Sequence, residues 1–286
     1  MMPQAGASPR EADAKRRDQA RPTGAALRTE GLVKRFGGLL ATDHVDLALE
    51  PGELHALIGP NGAGKTTLVG QLSGELRPDE GRVWLGERDV TRLPVDARAR
   101  LGLARSYQIT QFCPDFTTLE NVAMASLQGE LRAGGHAAGA GALARFFDPW
   151  SPLRRQTAAL ERARSVVARV GLGSLVDVPA GDLGHGEHRQ LELAMALALE
   201  PSVLLLDEPL AGMSSAESDT MVALLQSLRG RYPILLIEHD MNAVFALADR
   251  ISVLVYGRVI ASGTPQAIRE HPEVRSAYLG DEDMIA

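Results

Sequence analysis

Gly59-Pro60-Asn61-Gly62-Ala63-Gly64-Lys65-Thr66-Thr67 decides how this chain is read. It is a full match to G-x-x-x-x-G-K-[ST], set between the β-rich run VDLALEPGELHALIG and the helical pattern LVGQLSGEL, with a turn at Arg77, Pro78 and Asp79 closing the helix. Glycines let the backbone wrap closely around an oxyanion chain. Successive N–H groups and the helix N-terminus favour negative charge, and Lys65 adds a full cation at the terminal phosphates. Thr66 offers a hydroxyl oxygen to Mg²⁺. The spacing predicts a strand, a phosphate-binding loop and a helix, in that order.

The other half of such a site is an acidic pair at the end of a hydrophobic strand, and Val203-Leu204-Leu205-Leu206-Asp207-Glu208 supplies it. The apolar run buries the strand and leaves both carboxylates at its carboxyl end, where open α/β sheets bind ligands. Asp207 is suited to hold hydrated Mg²⁺, and Glu208 to orient, or take a proton from, a water attacking the γ-phosphate.

Outward from these motifs, LRTEGLVKRF and GRVWLGERDV each read as a strand, and residues 112–200, rich in Ala, Arg and Leu, read as a helical insertion containing the low-complexity loop GGHAAGAGA. After Pro201, VLLL, a helix over about 216–229, ILLI, the helix MNAVFALA and the strand ISVLVY alternate. Short, continuous apolar runs alternating with amphipathic helices indicate an α/β fold with a parallel sheet covered on both faces. Residues 1–26 read as a disordered tail, its five basic residues against three acidic ones leaving a small positive charge. A net charge of -6 provides no basic field for nucleic acid. The single cysteine, Cys113, suits a reducing cytoplasm. No window approaches the roughly eighteen apolar residues that a membrane span needs.

The order of motifs resembles the ABC ATPase family from about residue 27 to 280, leaving 281–286 as a second tail. The resemblance implies a P-loop parallel-sheet core, a small antiparallel β subdomain, and a helical subdomain at about 112–200 inserted between Q-loop and signature. It implies ATP with Mg²⁺ as the bound pair. Gln108 in ARSYQ looks like the Q-loop glutamine, which contacts the metal and the attacking water and faces the transmembrane partner. His239 in IEHD resembles the switch histidine that touches the γ-phosphate, and Phe36 in KRFGG sits where the family stacks an aromatic ring on adenine. Apolar residues beside the Q-loop, here Phe112, Cys113 and Phe116, are where the family receives the permease's coupling helix; packing within the helical subdomain is the other reading of them.

Leu183-Gly184-His185-Gly186-Glu187 occupies the place of the family signature, usually Leu-Ser-Gly-Gly-Gln, and HRQLELAMALALEP continues it as an amphipathic helix whose N-terminus is a second anion site. In the family this loop closes over the nucleotide of another cassette, so one chain forms half of each catalytic site. Gly184 lacks the serine hydroxyl, a loss of roughly 1.5 to 3 kcal/mol if one charge-assisted hydrogen bond goes and the backbone amides remain. LAGMSSAES lacks the usual D-loop aspartate and resembles the Ala-Gly-Leu-Asn-Pro variant of one branch, as does the closing stretch from EHDMNAVFALADRIS to Tyr278-Leu279-Gly280. That branch serves branched-chain amino acid uptake. The implied partners are a second ATPase subunit, the same chain or a paralogue, transmembrane permeases and, indirectly, a periplasmic solute-binding protein, at the cytoplasmic face of the inner membrane. A lipopolysaccharide-type export ATPase and a weakly active regulatory cassette are the alternatives.

Overall fold

The computed structural model describes residues 24–106, 112–133 and 157–278. Strands follow in chain order as β1 (Leu27–Phe36), β2 (Leu39–Leu49), β3 (Leu54–Ile58), β4 (Glu80–Leu85), β5 (Arg88–Asp89), β6 (Leu103–Arg105), β7 (Val203–Asp207), β8 (Ile234–Ile237), β9 (Arg250–Val255) and β10 (Arg258–Gly263). They make a four-stranded antiparallel sheet, β2-β1-β4-β5, and a six-stranded sheet, β10-β9-β3-β8-β7-β6. In the larger sheet β6, β7, β8, β3 and β9 run parallel and β10 lies antiparallel at one edge.

The continuous apolar runs are explained by burial on both faces. Leu54, Ala56 and Ile58 of β3, Leu204 and Leu206 of β7, and Ile234 and Leu236 of β8 belong to one core. The alternate residues Leu57, Val203, Leu205, Leu235 and Ile237 belong to the other, together with Leu68, Val69 and Leu72 of the helix that follows the glycine-rich loop. Because the two cores clamp the strands from opposite sides, the carboxyl ends of β3, β7 and β8 are held in fixed register.

Two predicted elements differ in detail. GRVWLGERDV is a hairpin rather than one strand: Leu85 pairs with Arg88 across a turn in which Gly86 takes φ +55°. The helix after the loop spans Lys65–Ser73 and stops ahead of the predicted turn at Arg77, because Gly74 adopts a left-handed φ of +91° and returns its N–H to Gly70 O. The carbonyls at that end receive an unexpected partner. Arg98 is 1% exposed and donates to Gln71 O at 2.6 Å and Leu72 O at 2.7 Å, and also to Thr91 O and Leu93 O. Burial pulls its guanidinium down to about 10, so it stays charged at neutral pH and complements the helix C-terminus.

The helical insertion contributes Thr118–Ala133, Thr157–Arg169 and His185–Ala198, packed on one another. Leu191, Met195 and Ala198 are all buried, as their spacing predicts. The loop GGHAAGAGA lies outside the described residues, as do residues 1–23 of the expected tail; Ala25 is buried and Ala26 donates to Leu49 O, so packing reaches into that tail's last residues. Among the described residues no helix is long and apolar enough to cross a membrane.

Candidate functional site

The glycine-rich loop leaves the buried end of β3 and enters the Lys65–Ser73 helix directly. Its glycines are dictated by space as much as by torsion. A Cβ at Gly59 would meet Leu254 O at 2.2 Å, and one at Gly64, which has φ +104°, would meet Ala41 O at 2.2 Å. The loop is thus wedged between β9 and β2. Gly257, in the β9–β10 turn, donates its N–H to Ala63 O at 2.8 Å and accepts Asp43 N–H at 2.8 Å, a third brace. Lys65 folds its ammonium over the loop, donating to Gly59 O and to Pro60 O. Partial burial lowers its pKa, and the nearby carboxylates of Glu208 and Asp207 oppose that shift. Asn61, Gly62 and Thr66 are exposed, Thr67 is half-buried, and the Thr66 hydroxyl belongs to the helix's first turn.

Asp207 closes β7 and pairs in register with Ile237 of β8. Glu208 follows with φ +48°, a left-handed conformation that glutamate adopts only under constraint. Its N–H donates to Ile237 O at 2.9 Å and its carbonyl accepts Ala211 N–H at 3.1 Å. The Glu208 carboxylate is half exposed, and His239 Nδ1 stands 3.9 Å from it. Lys65 after β3, Asp207 and Glu208 at the end of β7, and His239 after β8 therefore converge at one end of the sheet. Phe36 ends β1 opposite Leu39, 46% exposed, on the same hairpin that presses Ala41 O against Gly64. Gln108 lies outside the described residues.

The second predicted anion site lies at the start of the His185–Ala198 helix. Gly184 is the N-cap of the His185–Ala198 helix, with buried Leu183 before it. Two of its amides already have partners: Gly184 N–H donates to the Glu187 carboxylate at 2.7 Å, and Gly186 N–H to the Glu217 carboxylate at 3.0 Å. His185 Nε2 lies 3.4 Å from Ala211 O. Glu217 also accepts from Ser214 N and Oγ at the start of the Ser215–Leu228 helix, hydrogen bonds that lower its pKa. A single carboxylate thus joins the 184–187 loop to the 211–214 loop.

Three contributors escaped the sequence reading. Glu217 lies in the stretch LAGMSSAES, where Ser214-x-x-Glu217 is a capping-box pattern. Arg105, 4% exposed on β6, donates to Asp207 Oδ2 at 3.0 Å and to Glu75 Oε2 at 2.7 Å; three residues are too few to show a strand period. Glu238 is fully buried between the Glu208 and His239 turns. Of the residues beside the Q-loop, Phe112 stacks on His188 with ring centroids 4.9 Å apart, whereas Phe116 is 43% exposed.

A phosphate loop at the end of a parallel strand, facing an acidic pair, defines a nucleotide-binding P-loop protein. Comparison with known proteins places it further: the family model described as "ABC transporter" matches residues 42–211, and one described as "Branched-chain amino acid ATP-binding cassette transporter" matches residues 258–284. The chain belongs to the ABC transporter ATP-binding family. It is 39% identical over 257 residues to the high-affinity branched-chain amino acid transport ATP-binding protein LivG of Escherichia coli K12, covering 89% of this chain and 98% of LivG. It is 33% identical to the lipopolysaccharide export system ATP-binding protein LptB of Acidithiobacillus ferridurans, covering 91% and 98%. The crystal structure of the ADP conformation of MJ1267, an ATP-binding cassette of an ABC transporter, superposes with a TM-score of 0.72 at 29% identity, covering 91% of this chain and all of that one.

Proposed function

We propose that this chain is the ATP-hydrolysing subunit of an importer for branched-chain amino acids or related small polar solutes, working at the cytoplasmic face of the membrane beside a second cassette and transmembrane permeases. The observation that carries the chemistry is the convergence of Lys65, Asp207, Glu208 and His239 at one end of the sheet. What favours import over lipopolysaccharide export is the match of the C-terminal segment to the branched-chain amino acid model, with the higher identity to LivG.

In this reading the backbone N–H groups of the loop, those of residues 61–67 foremost, and the Lys65 ammonium hold the phosphates, and Phe36 stacks on the base. Glu208 orients the attacking water or takes its proton, with His239 at the γ-phosphate and Gln108 between metal, water and permease. Mg²⁺ fits the donor set, since the Asp207 carboxylate and the Thr66 hydroxyl are hard oxygen donors that would hold it. No group of three or more His, Cys, Asp or Glu that could cage a metal occurs among the described residues. The bound ion would offset charge developing on the phosphates, while the protein supplies position. Leu183, Gly184, His185, Gly186 and Glu187 would face the nucleotide of the partner cassette.

The functional test is uptake of labelled leucine by cells carrying the chain with its permeases and binding protein. Phe116→Asp, at an exposed apolar position beside the Q-loop, is expected to cut uptake at least fivefold while the isolated subunit keeps its basal ATPase. Uptake that persists without this chain would refute the importer assignment, and loss of both activities would assign Phe116 to packing.

Gly184 bears on the pairing of cassettes. Its φ is -71°, and a Cβ there would have Glu187 Oε2 as its nearest neighbour at 3.5 Å, so serine fits without strain. If the second cassette is a paralogue with a serine signature, the site on this chain's P-loop is the more active one. Gly184→Ser then accelerates the other about tenfold, the lower end of what one charge-assisted hydrogen bond supplies, which brings it level with the faster site and raises complex ATPase about twofold. An unchanged rate would exclude a hydroxyl-limited site.

A further inference from the structure

Glu238 follows the apolar run Ile234–Ile237 and, as a strand-end glutamate, would ordinarily reach for water. Its side chain is instead 0% exposed. A buried carboxylate is costly unless hydrogen bonds satisfy it, and this one has three backbone donors on two different turns. Oε1 accepts Leu210 N–H at 2.9 Å. Oε2 accepts His239 N–H at 3.0 Å and the longer Asp240 N–H at 3.4 Å. Each donor belongs to a segment that the proposed mechanism needs.

Leu210 lies two residues after Glu208, whose left-handed backbone is held by Ile237 O before it and by Ala211 N–H after it. The Glu238 carboxylate adds a third tether to that turn. On the other side, Asp240 accepts Ala243 N–H at 3.1 Å and caps the Met241–Leu247 helix, so the turn bearing His239 is fixed at both ends. His239 itself is 66% exposed, its Nδ1 at 3.9 Å from Glu208 and 3.8 Å from Glu238. Those separations exceed hydrogen-bond length; what locates the imidazole relative to Glu208 is the backbone on which it stands.

We infer that Glu238 is a positioning residue for hydrolysis: its buried carboxylate crosslinks the Glu208 turn to the His239 turn and sets the spacing between the two groups that act on the water and the γ-phosphate. Both side-chain oxygens of Glu238 accept backbone N–H groups here, Oε1 from one turn and Oε2 from the other. A glutamine of the same shape turns an NH₂ toward one set of N–H donors and drives the turns apart. An aspartate keeps the two oxygens but, one methylene shorter, cannot span both. The phosphate loop is untouched by either change, because no hydrogen bond joins Glu238 to residues 59–67 among the described residues.

This inference rests on the ATPase reading, and its experiment separates the two. Phosphate release is measured on the assembled transporter over a range of Mg-ATP, with trinitrophenyl-ATP binding and thermal unfolding on the same preparations. Glu238→Gln is expected to lower kcat at least tenfold with KM and nucleotide affinity within twofold of wild type, since misplacing catalytic groups by about 1 Å costs on the order of a hundredfold. If that variant does not fold, Glu238→Asp decides, with the same split expected. Wild-type kcat in a folded variant, or kcat and affinity falling together, overturns the positioning role. An inactive wild-type complex would instead overturn the ATPase reading.

Discussion

Glu208→Gln is expected to lower ATP turnover by about a thousandfold, within the range for losing a general base, while ATP affinity changes by less than about threefold. The reason is local. The substitution removes one carboxylate from a half-exposed position and leaves intact the loop braced by Leu254, Ala41 and Gly257. It also preserves the backbone N–H and carbonyl contacts that hold residue 208 at its left-handed torsion. Phosphate release and equilibrium nucleotide binding on one preparation check it. Unchanged release would remove Glu208 from the mechanism, and loss of binding would show that it holds the loop instead.

Much of the site was legible because its residues are local in sequence. Nine consecutive positions specify the phosphate loop, and the strands beside it are apolar on both faces, which makes β3, β7 and β8 visible as runs without any knowledge of their neighbours. Strand β1 was legible to its boundaries as a β-rich run, LRTEGLVKRF. What escaped the reading depends on partners far along the chain. Arg105 reaches Asp207 across 102 positions and Glu238 reaches Leu210 across 28; alone, each is an ordinary charge beside an apolar run. The Gly186 amide likewise donates to Glu217, 31 residues on. Arg98, sealing the carbonyl end of the P-loop helix, belongs with these. The turn glycines that shortened one helix and split one strand were visible as letters, but their positive φ values were not.

Hydrolysis driven by this chain's own P-loop, whichever cassette lies opposite, is tested by Lys65→Ala. The ammonium is the one side-chain cation held over the loop by hydrogen bonds among the described residues, donating to Gly59 O and Pro60 O in the field of Asp207 and Glu208. Removing it deletes the charge that the phosphates meet and two contacts that shape the loop. With roughly 1.5 to 3 kcal/mol for each hydrogen bond to a charged group, two such contacts to phosphate imply a loss of more than a hundredfold. The decisive measurement is Mg-ATP phosphate release by the assembled transporter carrying Lys65→Ala, beside the wild-type complex. Near-complete loss of release is expected; release at the wild-type rate would show that this P-loop does not drive hydrolysis.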